Sequence, residues 1–423
     1  MNKTIKKIIK GIMIFQFLVT TIFAGGLLEN GRWNPVNREK LEKLIENNRG
    51  KGNYVVFDWD YTSIYQDTQE NLFRYQIDNL KFKMTPAEFK KAIRKDIPMD
   101  NFADEFKNVD GQNINIEKIG EDLDKDYGFL YENYIKNKKM ALEEIHKTEE
   151  FKDFRGKLAF LYEAIGGTFS HDIAYPWVLY LFTGMTPAEV KELAKEANDF
   201  GIGNKLDKYV LESSDILKGK AGKVSNMYKS GLRTQPETAN LFHTLRDNGI
   251  EVYVVSASLE EVVEVFAADP SYGYNLPAEN VFGMRLEMKD GKFITEYKKD
   301  YPQTQTKGKV EAINKFIKPK HKEKDPILVA GDSSGDYNMM TEFKDIQILL
   351  LMKREGKLDD LLAEEGITGI TGIDTRALTR LLRKKGTMNG MITTDVDYCM
   401  SDVIMKLHTY KMGNVVRETS CQE

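Results

Sequence analysis

The sequence predicts an α/β fold built on a parallel sheet, with a large helical insertion after the first strand. Four short apolar runs have the length and continuous hydrophobicity of buried parallel strands, at 54–57, 252–255, 327–330 and 348–351. Amphipathic segments precede two of these runs, "PETANLFHTLRDNG" before the second and "KVEAINKFIK" before the third. Because strands alternate with helices, we expect helices on both faces of the sheet.

The N-terminus has the layout of an export signal. "MNKTIKKIIK" carries four lysines, and the uncharged run "GIMIFQFLVTTIFA" then leads to a small residue at Ala24. This order predicts a signal peptide over 1–24 and an exported protein, periplasmic or in the cell envelope. The apolar run is short for a spanning helix. A retained membrane anchor stays the alternative, because Ile22 departs from the A-x-A pattern that precedes cleavage.

The chain from 65 to 233 changes to helical patterns and predicts a cap domain inserted into the sheet. Both "TPAEFKKAIRK" and "TPAEVKELAKEANDFG" place Thr at the N-cap, Pro at the first helical position and Glu in the first turn. The remaining segments, 25–64 and 234–355, then form the catalytic core. A hairpin interrupts the core pattern at "VFGMRLEMKDGKFITEY", where Asp290 and Gly291 supply the turn.

The bulk composition narrows the function classes. A chain of 423 residues is long enough for two or three domains, and its net charge of −4 without a basic block beyond the N-terminus does not indicate a nucleic-acid partner. Cysteine occurs only at Cys399 and Cys421, so a thiol nucleophile or a zinc–cysteine cage is excluded from most of the chain. Small-molecule chemistry is the better expectation.

Polar side chains follow three of the predicted strands. Asp58 and Asp60 follow the first, Ser256 ends the second, and Asp332 follows the third, with Asp336 four residues later. Ligands of parallel α/β sheets bind beyond the carboxyl ends of the strands, which is where these residues fall. Two aspartates after a strand are weak evidence taken alone, since a metal site or a turn cap explains them nearly as well.

The order of acidic pair, hydroxyl, lysine and acidic pair resembles the haloacid dehalogenase superfamily, whose members are mostly phosphatases, over about residues 33–355. The resemblance implies a Rossmann-like core. It also implies that Asp58 attacks phosphorus and becomes an aspartyl phosphate, and that Asp60 protonates the leaving alkoxide and later deprotonates water. A small phosphorylated substrate is the expected partner, and a membrane would be met only through the N-terminal segment.

The same resemblance implies a Mg²⁺ site and a phosphate cradle. A transferred phosphoryl group carries negative charge, so carboxylates around it need a cation between them. The implied metal ligands are Asp58, the backbone carbonyl of Asp60, and Asp332, with Asp336 holding the ion directly or through a neighbour. The implied phosphate ligands are Thr62, Ser256 and Lys307. Lys309 is a rival, and Lys307 is favoured because the family-like Lys-Gly pair falls there.

A large helical cap between the first two motifs resembles the phosphoserine and phosphorylcholine phosphatase branch. A choline head needs an aromatic cage, for which Tyr175 and Trp177 in "HDIAYPWVLYLF" and Trp59 beside the nucleophile are candidates. Glu70 and Arg74 could meet a charged substrate. The alternatives are core packing for the aromatic residues and a solvated helix face for the charged pair.

Residues 359–423 resemble a fragment of the small, glutamine-hydrolysing subunit of carbamoyl-phosphate synthetase. The fragment stops before the glutaminase domain, and Cys421 does not match its nucleophile. A natural fusion and an artefact that joined two coding sequences both fit. Two further functions therefore stand beside the phosphatase: a non-catalytic envelope binding protein on the same fold, and a carbamoyl-phosphate synthetase component.

Overall fold

The computed structural model describes residues 27–352, so the predicted signal 1–24 and the predicted tail 359–423 lie outside the described residues. All described residues belong to one compact unit. The described strands, in chain order, are β1 (Tyr54–Phe57), β2 (Ile64–Tyr65), β3 (Asp207–Glu212), β4 (Ser225–Ser230), β5 (Arg233–Thr234), β6 (Glu251–Leu259), β7 (Val281–Met284), β8 (Leu286–Lys289), β9 (Lys292–Tyr297), β10 (Leu328–Gly331) and β11 (Ile348–Leu351).

Helices fill the intervals between these strands. In chain order they are α1 (Pro35–Asn48), α2 (Thr68–Asp78), α3 (Pro86–Ala92), α4 (Ile116–Leu130), α5 (Leu142–Ile145), α6 (Glu149–Thr168), α7 (His171–Leu179), α8 (Pro187–Gly203), α9 (Pro236–Asp247), α10 (Glu260–Ala268), α11 (Lys307–Ala312) and α12 (Tyr337–Thr341). Thr85 and Thr186 cap α3 and α8 through the predicted capping boxes with Glu88 and Glu189.

The central sheet has five strands in the order β11-β10-β1-β6-β7, all parallel. This confirms the predicted α/β class and the parallel sheet. In the register, Phe57 at the end of β1 lies beside Ala330 on β10 and Val254 on β6. The residues that follow these three positions therefore meet at one edge of the sheet, on the central strand and its two neighbours.

Alternate residues of the strands supply the two sides of the core. Val55 and Phe57 belong to one apolar cluster with residues of α1, α9 and α10. Tyr54 and Val56 belong to a second cluster on the opposite face, with residues of α11 and α12. The period of two along the strand thus places helices against both faces, as expected for buried parallel strands.

The insertion after β1 has its own apolar core, drawn from α2 to α8 and joined by residues of α10, β8 and β9. The two ends of the insertion lie side by side, because β2 and β5 pair antiparallel with Ile64 opposite Thr234 and Tyr65 opposite Arg233. The predicted hairpin after β7 also forms, as β8 and β9, with its turn at Asp290 and Gly291.

One element of the insertion departs from the helical expectation. Strands β3 and β4 pair antiparallel over six residues, from Asp207 opposite Ser230 to Glu212 opposite Ser225. Both strands leave most of their side chains exposed or half-buried, so they lack the alternation of apolar and polar residues that identifies a half-buried strand in a sequence.

A buried ion cluster ties the loop between β3 and β4 to the helices. The Lys157 side chain is fully buried, and its Nζ donates to Asp122 Oδ2 at 2.9 Å and to Asp153 Oδ2 at 2.6 Å. Lys157 also donates to the carbonyls of 217 and 218, and Asp122 accepts the amides of 220 and 221. The buried Lys157 and its carboxylate partners are thereby paired and hydrogen-bonded within the cap.

No helix in the described range 27–352 is both long enough and apolar enough to span a membrane.

Candidate active site

The turn after β1 sends Asp58 and Asp60 toward the carboxyl edge of the sheet. The Asp58 amide still donates to the Ala330 carbonyl at 2.9 Å, as a continuation of the ladder. The chain then reverses, since the amides of Thr62 and Ser63 both donate to the Trp59 carbonyl and Tyr61 has a φ of 58°. The Trp59 side chain packs into the apolar core, while the Asp58 and Asp60 carboxylates accept hydrogen bonds from Lys309 and Ser258, respectively.

A lysine lies between two of the carboxylates. Lys309 Nζ is 2.6 Å from Asp58 Oδ1 and 2.7 Å from Asp336 Oδ1, and all three residues are buried. Asp336 is fixed in turn, because its Oδ2 accepts the amides of Asp332 at 3.0 Å and Ser333 at 3.2 Å. The backbone of the loop after β10 thus holds the Asp336 carboxylate, which in turn holds the Lys309 ammonium group.

Thr62 connects the nucleophile candidate with the third strand end. Its Oγ1 lies 3.1 Å from Asp58 Oδ2 and 3.3 Å from Asp332 Oδ1, within hydrogen-bond distance of both. Asp332 is half-buried at the mouth of the site. One carboxylate oxygen from each of Asp58, Asp332 and Asp336 falls within a sphere in which all pairs are closer than 4.8 Å.

This donor set fits a hard divalent cation. Its members are carboxylate oxygens, the ligands that Mg²⁺ prefers. The three carboxylates lie close together and Lys309 pairs with two of them, which leaves excess negative charge. Asp336 accepts from Lys309 at one oxygen and from two backbone amides at the other, whereas Asp58 and Asp332 could bind a cation directly through the oxygens that accept from the Thr62 hydroxyl. The role of Asp336 is then to hold Lys309 and the loop that contains Asp332 in place.

The electrostatics of the cluster follow from its burial. Burial raises the pKa of Asp58 well above its ordinary value, the charge of Asp336 raises it further, and Lys309 opposes the rise. For Lys309, burial works against the charged form, yet the carboxylates of Asp336 and Asp58 raise its pKa above the usual range. The lysine therefore carries its positive charge, and a cation bound at Asp58 would favour the ionised carboxylate.

Asp60 is held by donors from two sides. The amide and the hydroxyl of Thr68, at the start of α2, both donate to Asp60 Oδ1 at 2.7 Å. Ser258 Oγ donates to Asp60 Oδ2 at 2.6 Å, and Ser256 Oγ lies 3.4 Å from the same oxygen. Burial raises the pKa of Asp60, and the hydrogen bonds from Ser258 and Thr68 counteract that rise.

Comparison with known proteins agrees with this geometry. Residues 178–341 match the family model for haloacid dehalogenase-like hydrolases. The chain is 26% identical over 383 residues to phosphorylcholine phosphatase from Pseudomonas aeruginosa, covering 82% of this chain and 88% of that protein. A conserved protein of unknown function from Anaerococcus prevotii is 34% identical, covers 81% of this chain and 93% of its own, and superposes with a TM-score of 0.73.

The chain carries a haloacid dehalogenase-like hydrolase domain. The similarity to a phosphorylcholine phosphatase, together with this domain, supports a phosphatase. The matched segment contains Ser256, Lys309, Asp332 and Asp336 but begins after the strand that carries Asp58, since the helical insertion separates that strand from the rest of the core.

The C-terminal resemblance also has a counterpart. Residues 345–392 match the carbamoyl-phosphate synthase small chain. The small chain of Solidesulfovibrio magneticus is 64% identical over 39 residues, and that of Clostridium perfringens is 41% identical over 69 residues, which is 20% of its length. The chain thus spans a fifth or less of these relatives. The match begins before β11, which pairs with β10 in the hydrolase sheet.

Lys307, the predicted phosphate ligand of the hydrolase domain, does not join the cluster. It is exposed at the first position of α11, whereas Lys309 is 2% exposed and reaches Asp58. The glycine after Lys307 is explained by packing rather than by phosphate binding, because a Cβ at Gly308 would lie 1.6 Å from the Gln303 carbonyl oxygen. Glycine allows the loop to fold back on the helix start, and the following turn carries Lys309 inward.

Two of the aromatic candidates are core residues of the hydrolase domain. Trp59 is fully buried and packs edge-on against Phe266 and Tyr274, behind the sheet edge. Trp177 is fully buried in the cap and donates its Nε1–H to the Ile93 carbonyl at 2.9 Å. The prediction that these two rings contact substrate is corrected: the indoles fill apolar cores, as their size favours.

Tyr175 and Glu70 remain near the site. Tyr175 is half-buried on α7, and burial raises its pKa, with the charges of Asp67, Glu70 and Asp58 raising it further. The ring stacks on His171 with centroids 4.9 Å apart. Glu70 and Asp67 are half-buried in the first turn and at the N-cap of α2.

Arg74 lies one turn beyond Glu70 on α2 and is buried against an aromatic ring. Its guanidinium carbon is 4.1 Å from the centre of the Tyr228 ring, and burial lowers its pKa to about 10. Its Nε and Nη2 atoms are buried without hydrogen-bond partners within the described residues. Arg74 therefore contributes to the packing of β4 on α2.

Sequence reasoning missed the residues that hold the catalytic groups in place. Ser258 could have been found, because the "SAS" spacing places two hydroxyls on one face of a strand. Thr68, Thr304 and Gln305 carried no such signal. Thr304 Oγ1 donates to the Ser256 carbonyl at 2.5 Å, and Gln305 Nε2 donates to Asp172 Oδ1 of α7 at 2.6 Å.

Proposed function

We propose that the protein is an exported, Mg²⁺-dependent phosphomonoesterase that works through an aspartyl phosphate on Asp58. The observation that carries this proposal is the lysine bridge: Lys309 lies between Asp58 and Asp336 at 2.6 and 2.7 Å, at the carboxyl edge of a parallel sheet. A buried carboxylate, a fixed ammonium and a second carboxyl group two residues away supply a nucleophile, a phosphate ligand and an acid/base in one place.

In the proposed first step the Asp58 carboxylate attacks phosphorus. Lys309 holds Oδ1 of Asp58 and neutralises part of the charge that spreads over the equatorial phosphate oxygens in the transition state. Thr62 and Ser256, whose hydroxyls lie beside Asp58 and Asp60, donate to the same oxygens. Asp60 gives its proton to the departing alkoxide, so that the alcohol leaves neutral.

In the second step Asp60 acts as a base. It takes a proton from a water molecule that attacks the phosphorus of the aspartyl phosphate, which restores Asp58 and releases inorganic phosphate. The group that served as acid thus returns to its starting state after one cycle. A Mg²⁺ ion held by Asp58, Asp332 and the Asp60 carbonyl would supply charge neutralisation between the carboxylates and the phosphate.

The substrate that we propose is a small phosphomonoester with a cationic organic head, such as phosphorylcholine. The cap presents Tyr162 and Tyr175 together with the carboxylates of Asp67 and Glu70, and the charges of Asp67 and Glu70 act on both phenols. Aromatic faces and carboxylates are the groups that attract a quaternary ammonium. The Pseudomonas relative is a phosphorylcholine phosphatase, which supports the same choice.

The test of the reaction is a panel of phosphomonoesters with and without Mg²⁺. We expect hydrolysis of phosphorylcholine and of p-nitrophenyl phosphate that is lost in a chelator and restored by Mg²⁺. Asp58→Asn should abolish both activities and the acid-quenched phosphoenzyme. A variant with near wild-type turnover would refute the nucleophile, and metal-independent hydrolysis would refute the role of the cation.

The test of the substrate compares two aromatic variants. Tyr175→Ala should raise KM for phosphorylcholine about fivefold or more, the loss of roughly 1 kcal/mol of cation–aromatic attraction, with less change for p-nitrophenyl phosphate. Trp177→Phe is the matched control, because that ring is buried in the cap core. Equal effects of Tyr175→Ala on both substrates would remove the argument for a cationic head.

Export is tested on the N-terminus of the protein in its own cell. We expect secreted or envelope-bound protein that begins after Ala24, as read by mass spectrometry of the intact chain. A full-length N-terminus in the membrane fraction would instead support a retained anchor.

A further inference from the structure

Both carboxylate oxygens of the buried Asp60 accept hydrogen bonds. Oδ1 accepts two hydrogen bonds from Thr68, and Oδ2 accepts one from Ser258 at 2.6 Å. The Thr68 donors come from the start of the cap, while Ser258 belongs to the sheet. One carboxylate is thereby fixed from two directions.

Ser258 reaches Asp60 because β6 is irregular at its end. The pairing of β6 with β7 shifts register between Val255 and Leu259, and such bulges re-aim side chains next to active sites. The neighbouring strand fits closely around this irregularity, since a Cβ at Gly283 would lie 2.6 Å from the Ser258 carbonyl oxygen. The position of the Ser258 hydroxyl is therefore fixed by the backbone.

Ser258 also contacts the phosphate-ligand candidate. Its amide donates to Ser256 Oγ at 3.2 Å, so the amide and the hydroxyl of one residue hold two different groups of the site. Ser258 is 5% exposed, less than Asp60 at 9%. This arrangement is that of a support for Asp60 rather than of a group that touches substrate.

We propose that Ser258 is a positioning residue for general acid catalysis, which holds Asp60 Oδ2 in line with the leaving oxygen. This inference rests on the proposed function, in which Asp60 protonates the leaving group. A hydroxyl suits the position because it can donate to one lone pair of Oδ2 and leave the acidic proton of Asp60 free to reach the leaving oxygen. The Thr68 amide donates to Oδ1 and the Ser258 hydroxyl donates to Oδ2, so the two supports fix the orientation of the whole carboxyl group.

The experiment compares leaving groups. For Ser258→Ala we expect kcat/KM to fall about tenfold or more for the best alkyl phosphate of the panel, and less than about threefold for p-nitrophenyl phosphate, whose leaving group needs little protonation. The ratio kcat/KM reports the steps up to departure of the alcohol, so later hydrolysis of the phosphoenzyme does not mask the difference. Ser258→Thr, which keeps the hydroxyl, should restore the alkyl phosphate rate.

Ser230→Ala is the matched control. Ser230 is also 5% exposed, and its hydroxyl donates to the Lys205 carbonyl at 2.8 Å, away from the site. This variant should leave the ratio of the two substrates unchanged. Thermal unfolding of each variant reports whether it is folded, and Ser258→Cys, which keeps the volume and weakens the donor, repeats the comparison should the alanine variant fail to fold.

Asp60→Asn separates this inference from the proposed function. If Asp60→Asn loses alkyl phosphate hydrolysis selectively but Ser258→Ala lowers both substrates equally or neither, Asp60 is the acid and the positioning role is wrong. If Asp60→Asn itself shows no preference between leaving groups, the proposed role of Asp60 as acid is wrong. A selective loss in both variants supports both.

Discussion

The Nζ atom of Lys309 lies 2.6 Å from Oδ1 of Asp58, and both side chains are buried. The contact joins the start of α11 to the end of β1, two segments that lie 251 residues apart in sequence. A buried lysine in this position compensates a carboxylate that burial would otherwise protonate. Removal of the lysine should therefore affect both the charge on Asp58, the proposed nucleophile, and the positive charge that would meet the phosphate.

Lys309→Met should lower kcat/KM by about 10²–10³-fold or more, the range for loss of one fixed donor to a developing anion. Lys307→Met is the matched control, because Lys307 is exposed two residues earlier on the same helix, and it should remain within about twofold of wild type. The measurement is steady-state hydrolysis of p-nitrophenyl phosphate. A larger effect of Lys307→Met than of Lys309→Met would instead support Lys307 as the phosphate ligand.

Mg²⁺ should stabilise the folded protein as well as activate it. Asp58 and Asp336 share the ammonium of Lys309, and Asp332 adds a third carboxylate beside them, so a divalent cation that binds the native state raises the midpoint of thermal unfolding with concentration. Asp332→Asn should abolish the rise, while Asp110→Asn, a change of an exposed aspartate, should keep it. A midpoint that does not respond to millimolar Mg²⁺ in the wild-type protein would argue against the site.

The hydrogen bond from Gln305 to Asp172 joins the loop before Lys309 to the cap helix that carries Tyr175. Gln305→Ala should favour an open cap and raise KM about fivefold, which corresponds to roughly 1 kcal/mol for one partly exposed hydrogen bond to a charged group. A double-mutant cycle with Asp172→Ala provides the check. Effects of the two single changes that add fully in the double variant would show that the contact has no energetic role.

Asp126, which neighbours Asp153 of the buried ion cluster in the cap, should make the stability of the protein depend on pH. Asp126 is buried beside Asp153, and burial together with the Asp153 charge raises its pKa to about 9 from an ordinary 3.8. The folded state therefore binds more protons than the unfolded state between these values. The contribution of Asp126 is fully present below about pH 4 and is lost as the pH rises toward 9.

Asp126→Asn should remove this loss, because the amide is neutral at every pH and can still donate to Asp153. We expect a higher unfolding midpoint than wild type at pH 8.5, by about 2–4 °C for each kcal/mol regained, and a smaller difference at pH 5. Asp122→Asn is the opposite control, since Asp122 accepts from Lys157 and two amides and its change should destabilise at both values. The same sign for both variants at pH 8.5 would contradict the assignment.

The sheet and the order of its polar strand ends could be predicted because both depend on local signals. Continuous apolar runs identify parallel strands, and adjacent strands in register bring Asp58, Ser256 and Asp332 to one edge. The structure places these residues with Asp60, Thr62 and Asp336, as the sequence indicated. Their chemical roles remain predictions until the variants are measured.

The direction of individual side chains could not be predicted in the same way. Lys307 and Lys309 lie two residues apart on a helix, so they point to different sides, and the tertiary position of the loop at Gly308 decides which side faces the site. Trp59 turns into the core because the chain reverses immediately after β1. Contacts between residues far apart in sequence fix the direction of each of these side chains, and such contacts cannot be read from local patterns in one sequence.

The pairing of β2 with β5 brings the entry and exit of the insertion together at Tyr65 and Arg233. The insertion is therefore a loop whose two ends lie next to each other at the edge of the core. Because the entropic cost of closing a loop grows only slowly with its length, the size of the insertion has little effect on the free energy of folding the core. The cap can therefore change in size or composition while the strand ends keep their spacing. Under the proposed function, the part of the cap beyond Thr68, which carries the rings that would meet the substrate, can therefore vary while the strand ends that carry the phosphoryl chemistry keep their positions.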